Sequence, residues 1–399
     1  MRQAPRPVTG TEWLRRANTA AVLRSLRHDG PASRSELAER TGLAKATVGA
    51  IAAELEDRGA VAETTEPPAS ATVRGRPRRP LSLTGHGLVG LGFEVNVDYV
   101  SAVAVDLAGD VVLSRSRGLD GAGASDALSG LVAETARALS GRRLAGVTVG
   151  VPGLVQADDR TVAWAPNLRL DDPRLSELVG GVLAREHDGA VPSVRVLNDA
   201  NCAAYAETRR GAAAGVAHAL YLTGTIGIGA GVVIDGRLLR GAAGFAGEVG
   251  HLPLGRPEDR CGCGRAGCLE ASVGLMALCR AAGLPPGGTP TAVAREVAAR
   301  AAGDAAVRGA VGDLGRLLGS GLAALATVLD PSVIVLGGYF SELGDLVLEP
   351  ARAELDARLP SPAQPRPQLR ASELGLVAAA TGAAERSWDD VMDGSAALP

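Results

Sequence analysis

The sequence predicts a small helical head followed by a large α/β body, and three observations carry that prediction. Over the first 58 residues, apolar side chains recur at helical spacing. From Leu88 onward, β-branched runs ending in glycine alternate with longer helical stretches. Between the two lies VRGRPRRPLSL, an arginine- and proline-rich run that fits neither pattern. At 399 residues the chain is too long for one ordinary domain. With 46% hydrophobic and only 3% aromatic residues, its core must be built from Ala, Val and Leu.

Charge divides unevenly along the chain. Residues 1–83 hold 14 Lys+Arg against 9 Asp+Glu, and the remainder 27 against 35, within a net charge of −3. A basic head on an acidic body is the balance of a nucleic-acid reader fused to another function. The N-terminal MRQAPRPVTG lacks an apolar core, and nowhere do eighteen apolar residues run together. No signal peptide, membrane span or membrane partner is therefore expected, and the location expected is cytoplasmic.

In the head, the spacing predicts helices over residues 12–28, about 33–40 and about 44–58. Ser33 is a candidate N-cap, with Glu36 completing a capping box. Ala38, Gly42 and Val48 have the spacing of a helix-turn-helix, with a small residue at the crossing and a glycine at the turn. Ala60-Val61 and the arginine-rich run then suit a wing, so residues 1–83 read as a winged helix-turn-helix domain binding double-stranded operator DNA. Four arginines in six residues, held between prolines, do not form a core. The expected DNA contacts are Lys45 and Thr47 at the start of the reading helix and Arg74, Arg76, Arg78 and Arg79 on the wing. The reading helix otherwise starts with small side chains, so specificity should lean on wing arginines and DNA shape.

In the body, LVGLGFEV, YVSAVAVDLAG and DVVLSRSR predict consecutive strands. A helix is expected over about 125–139, strands at 144–151 and 193–197, and a helix opened by NDANCAAYAE. Residues 221–234 read as strand-like and interrupted by glycines. Helices follow at about 272–282, 292–302 and 304–329, then the strand SVIVLGG and a final α/β segment. Alternation of this kind places ligands at strand tips.

The most telling stretch runs from Gly247 to Glu270, where His251, Cys261, Cys263 and Cys268 fall within eighteen residues. Three thiols and an imidazole complete a tetrahedral zinc set, and four protein ligands make that zinc structural. A glycine-rich polar loop does not bury three thiols for packing, and without an export signal disulfides are not expected. Cys202 and Cys279 lie apart, inside predicted helices, and read as core thiols. Glu248 and Glu270 bracket the cluster, so the metal would brace a loop whose carboxylates can accept hydrogen bonds from hydroxyls.

These motifs resemble the ROK family, a group of sugar kinases and sugar-responsive repressors on an actin-like, ribonuclease H-like fold. The resemblance rests on VPGLV at 151–155, APNL at 165–168, LNDANCAAYAE at 197–207, GIGAGVVIDGRLLRGAAGFAGEVGH at 227–251, CGCGRAGCLE at 261–270 and VIVLGG at 333–338. It implies a two-lobed body over 84–399. Lobe I would span about 84–198 with a C-terminal piece at about 370–390, and lobe II about 199–369 with the zinc loop at 251–268. It also implies a sugar or sugar-phosphate between the lobes, held by Asn167, Asn198, Asp199, Glu248, His251 and Glu270, and a homodimer or homotetramer. Asn198 has a simpler reading as the cap of the helix that follows it. The winged head resembles the repressor branch of the family.

Asp199 stands where the family's kinases keep their general base. Phosphoryl transfer also needs glycine-lined loops that admit phosphate. Where the kinases read Asp-x-Gly-Gly-Thr, this chain has Glu94-Val95-Asn96-Val97-Asp98, and Thr225-Ile226 replaces a Gly-Thr. The expectation is therefore a DNA-binding repressor of carbohydrate metabolism, with no catalytic residue and Asp199 vestigial. The alternative is an active ATP-dependent sugar kinase with an accessory DNA-binding head.

Overall fold

The head packs three helices against a short hairpin: α1 Gly10–Asp29, α2 Arg34–Thr41, α3 Lys45–Asp57, β1 Val61–Glu63 and β2 Leu81–Leu83. This is a computed structural model, and it describes residues 10–64, 79–85, 87–119, 123–165, 168, 174–359, 361 and 365–399. The expected capping box is present. The Glu36 N–H donates to Ser33 Oγ at 3.3 Å, and the Ser33 N–H donates to the Glu36 carboxylate at 2.8 Å. Gly42 ends α2 in the left-handed conformation, φ 70°. Strands β1 and β2 pair antiparallel, Val61 opposite Leu83, and form the base of the wing.

Strands β3 Leu88–Val95, β4 Tyr99–Asp106 and β5 Val111–Gly118 open the body, followed by α4 Ala124–Ala138 and β6 Arg143–Val151. A small hairpin, β7 Leu154–Val155 and β8 Val162–Trp164, precedes α5 Leu175–Glu186, β9 Val194–Asn198 and α6 Asp199–Arg210. The second half begins with β10 Ala219–Gly224, β11 Ile228–Ile234 and β12 Arg237–Leu238. Next come α7 Leu269–Val273, α8 Leu275–Ala281, α9 Pro290–Gly303 and α10 Ala305–Leu329. The chain finishes with β13 Val333–Gly338, α11 Tyr339–Leu343, α12 Asp345–Arg358, β14 Gln368–Ala371, α13 Ala378–Arg386 and α14 Asp389–Asp393.

Two five-stranded sheets result, ordered β5-β4-β3-β6-β9 and β12-β11-β10-β13-β14. Both follow one scheme, in which the first strand pairs antiparallel with the second and parallel with the fourth. The body is thus a twofold structural repeat. Helix α6 lies across the seam, packed against α13 on one side and β11 on the other.

The structure corrects the sequence reading in several places. Residues 221–234 form two strands, because Thr225 N–H donates to Gly227 O and closes a turn between them. The helix expected over 272–282 breaks at Gly274 into α7 and α8. Residues 370–371 belong to β14, paired parallel with β13, so the C-terminal return to the first sheet begins with α13. Helix α5 and the β7–β8 hairpin were not anticipated. Helix α10 is the one described helix long and apolar enough to cross a membrane. Its buried Leu314, Leu318 and Leu322 share a core with Val347 and Leu355 of α12.

Head and body share one hydrophobic cluster. Val22 and Leu23 of α1, Leu37 of α2 and Ile51 of α3 cluster with Leu107, Trp388 and Val391 of the body. Beside it, Arg27 of α1 pairs with Glu385 of α13 at 2.7 Å, and Arg210, the last residue of α6, pairs with the same carboxylate. Burial lowers the Arg27 pKa to about 10, so it stays charged at neutral pH.

Candidate effector site, metal cluster and DNA interface

The seam between the sheets opens into a cleft of about 180 Å³ lined by Asn198, Asp199, Glu248, His251, Glu270 and Trp164. Five of the six residues expected to hold a sugar therefore converge. The sixth, Asn167, lies outside the described residues. Trp164 was not foreseen, although a tryptophan directly preceding the APNL motif was a usable signal.

Each polar group is placed by backbone. Asn198 is the N-cap of α6: its Oδ1 accepts the Asn201 N–H at 2.9 Å, and its Nδ2 donates to Gly153 O at 3.0 Å. The capping reading of Asn198 is thus realised, leaving one amide hydrogen for a ligand. Asp199 opens the helix with Oδ1 on the Ala200 N–H at 2.8 Å. Burial, with Glu248 adding like charge, raises its pKa to about 6. Glu248 is also raised, by burial first and by Glu270 in part, while His251 opposes the shift. Glu270 accepts the Ile228 N–H at 3.0 Å, and its carboxylate lies where a side chain on Gly227 would stand. The cleft is thus walled by acceptors suited to ligand hydroxyls.

Against this wall sits a cluster of side chains that could hold a metal ion. One ligand atom from each of His251, Cys261, Cys263 and Cys268 lies within 4.8 Å of all the others. His251 turns Nδ1 toward Cys261 Sγ at 3.7 Å, and Cys263 Sγ lies 3.7 Å from Cys268 Sγ. Two tetrahedral Zn–S bonds of about 2.3 Å place their sulfurs roughly 3.8 Å apart, so the set fits. Arg265 donates to Cys263 Sγ at 3.5 Å and pulls that thiol down to about 6, toward the thiolate a metal needs. Cys202 and Cys279 are buried core thiols, as expected.

On the other side of Asp199 the space nearly closes. A cavity of about 30 Å³ remains between the β3–β4 turn, Tyr221, Tyr339 and Gly338, room for a water or two. Glu94 forms part of its wall, taking hydrogen bonds from Asn96 Nδ2 at 3.0 Å, Tyr99 Oη at 2.8 Å and Ser101 Oγ at 3.2 Å. Burial pushes Glu94 up to about 7. Asp98 lines this cavity together with Pro290 and Thr291 at the start of α9, and burial raises its pKa.

In the head, Lys45 is exposed on the first turn of α3 and Thr47 is half-buried. Ala44 at the N-cap supplies no side-chain acceptor, so the first N–H groups of α3 have no side-chain cap. Arg79 pairs with Glu63 across the wing base at 3.0 Å. Arg74, Arg76 and Arg78 lie outside the described residues.

Fold and site together define an α/β body of two repeated sheets with a cleft at their seam, carrying a winged-helix head. Residues 91–387 match the model of the ROK family, and residues 17–67 that of the MarR family. The xylose repressor of Bacillus subtilis is 29% identical over 96% of this chain and 97% of its own length. The crystal structure of a ROK family transcriptional regulator, a homologue of the E. coli MLC protein, superposes with a TM-score of 0.75 at 25% identity, covering 96% of this chain and 98% of that one. A ROK family glucokinase from Streptomyces griseus, in complex with glucose and AMPPNP, gives 0.63 at 30% identity, covering 75% and 99%. The chain belongs to the ROK family, with a MarR-type DNA-binding region at its head.

Proposed function

We propose that this protein is a sugar-responsive transcriptional repressor whose ROK body senses its effector without chemistry. The observation that carries the reading is the contrast across Asp199: an open, hydroxyl-accepting cleft on one side and a nearly closed, carboxylate-lined space on the other. Relatives named xylose repressor, aligned across head and body, support the same reading. Lys45, Thr47 and the wing arginines would hold operator DNA, and Asn167 would join the five cleft residues around the sugar. A zinc ion on His251, Cys261, Cys263 and Cys268 would fix the Glu248–Glu270 loop, with His251 Nε2 left to face the ligand. The assembly is a cytoplasmic homodimer or homotetramer that presents two heads to paired half-sites.

Active kinases in the same family support the alternative, a sugar kinase with an accessory head. Against it stands Asp98, a carboxylate placed beside Thr291 at the start of α9, where it would repel a nucleotide phosphate. The test joins the two readings. Operator fragments are selected from random-sequence DNA with the full chain, then titrated with a panel of sugars and sugar phosphates. One compound is expected to weaken DNA binding at least tenfold, with no ADP released when ATP is added. ADP release above background would overturn the repressor-only reading.

A further inference from the structure

We propose that Trp164 is a stacking platform for a sugar ring, and hence that the effector is a closed pyranose and not an open-chain polyol. The inference rests on reading the cleft as a sugar site. Among the described large apolar side chains that remain exposed, Trp164 is the one that lines this cleft, at 44% exposure. Its exposure within a cleft of polar acceptors leaves an apolar face that a ligand can cover.

Its placement is built. Trp164 ends β8 and pairs with Leu154 of β7 across the small hairpin. Gly153, at φ 137°, lets the chain pass under the Trp164 carbonyl, where any Cβ would collide. The Asn198 amide then ties the carbonyl of Gly153 to the start of α6. The indole is thereby set 6.4 Å from the His251 ring, inclined at 51°. Glu248 and Glu270 line the same cleft, so a ligand there meets both a flat apolar surface and a set of acceptors.

A pyranose is amphipathic in the same sense. Its hydroxyls radiate around the rim, while the C–H bonds of one face make an apolar patch that an aromatic ring covers. An alditol offers the same hydroxyls but no fixed face, and must also lose torsional freedom to bind. The platform thus selects ring over chain, while the carboxylates select the hydroxyl pattern.

Calorimetric titration of the intact protein with xylose, glucose, N-acetylglucosamine and the corresponding alditols tests this, using Trp164→Ala, Trp164→Phe and Glu248→Ala. The wild type is expected to bind at least one pyranose and no alditol. Trp164→Ala should weaken that binding roughly tenfold, and Trp164→Phe should hold it within about threefold. Unchanged affinity in Trp164→Ala, with binding abolished in Glu248→Ala, overturns the platform and leaves the sugar site standing. An alditol binding as tightly as its pyranose overturns the closed-ring assignment. No binding by any sugar removes the sugar reading, and the platform with it.

Discussion

Asp199 separates two spaces that should be alike, since the halves of the body repeat one strand order. On the β10–β11 side the hairpin turn keeps Gly227, Glu270 fits against it, and about 180 Å³ stays open. On the β3–β4 side the equivalent turn carries Asn96, Val97, Asp98 and Tyr99, and about 30 Å³ remains. The narrow side is not apolar. It is lined by the chain's own carboxylates: Glu94, which takes a hydrogen bond from Tyr99, and Asp98, which lies beside the start of α9. Asp98 so placed would repel a nucleotide phosphate.

The largest expected effect breaks the open side. Cys263→Ser with Cys268→Ser, or treatment with a strong chelator, should eliminate sugar binding and lower the melting temperature by roughly 10 °C, since binding energy of a structural metal is folding energy. Elemental analysis of the wild type should find one zinc per chain, and a chain without bound zinc that still binds sugar would refute the brace. Next, Glu248→Ala should weaken sugar binding about 10- to 100-fold, the range for losing a charge-assisted hydrogen bond. A thermal shift that persists unchanged in this variant would move the effector elsewhere.

The narrow side is tested by pH. Glu94 titrates near 7 when folded against 4.5 when free, so the folded state holds its proton more tightly. Stability is therefore full below pH 4.5 and declines until pH passes 7, by about 3 kcal/mol. Glu94→Gln keeps the acceptor for Asn96 and Tyr99 and can donate to Ser101. It should match the wild type near pH 4.5 and exceed it by up to about 3 kcal/mol at pH 8 in denaturant unfolding. Equal stability at both pH values would mean that Glu94 is not buried as an acid. The smallest effect is a control remote from both sides: Lys45→Ala should weaken operator binding a few-fold and reduce the salt slope by about 1, with sugar affinity unchanged.

What the sequence disclosed was mostly local. Ser33–Glu36, Gly42 and the four candidate metal ligands act within one turn or loop, so their spacing alone states their geometry. Helix α5 escaped because Gly180-Gly181 dilutes its helical signal, and burial of Val179, Val182 and Leu183 in the core shared with α4 supplies what propensity does not. The 221–234 hairpin escaped because glycines that permit a tight turn also look like interruptions of one strand. Trp164 acquires meaning only when its hairpin stands opposite His251, which lies far along the chain. The pairing of Arg27 with Glu385 had no sequence signal at all, since its partners are separated by nearly the whole chain.

Helix α6 joins these distant places. Its first residue, Asp199, lies in the cleft, and its last, Arg210, shares Glu385 with Arg27 of the head. Twelve residues of helix span about 18 Å. A helix gripped by α13 and β11 along its flanks transmits displacement like a stiff rod, neither shortening nor buckling. Cleft and head are thus joined by one helix and one shared carboxylate: Asp199 stands at the near end of α6, and at its far end Arg210 meets Glu385, which also holds Arg27 of α1.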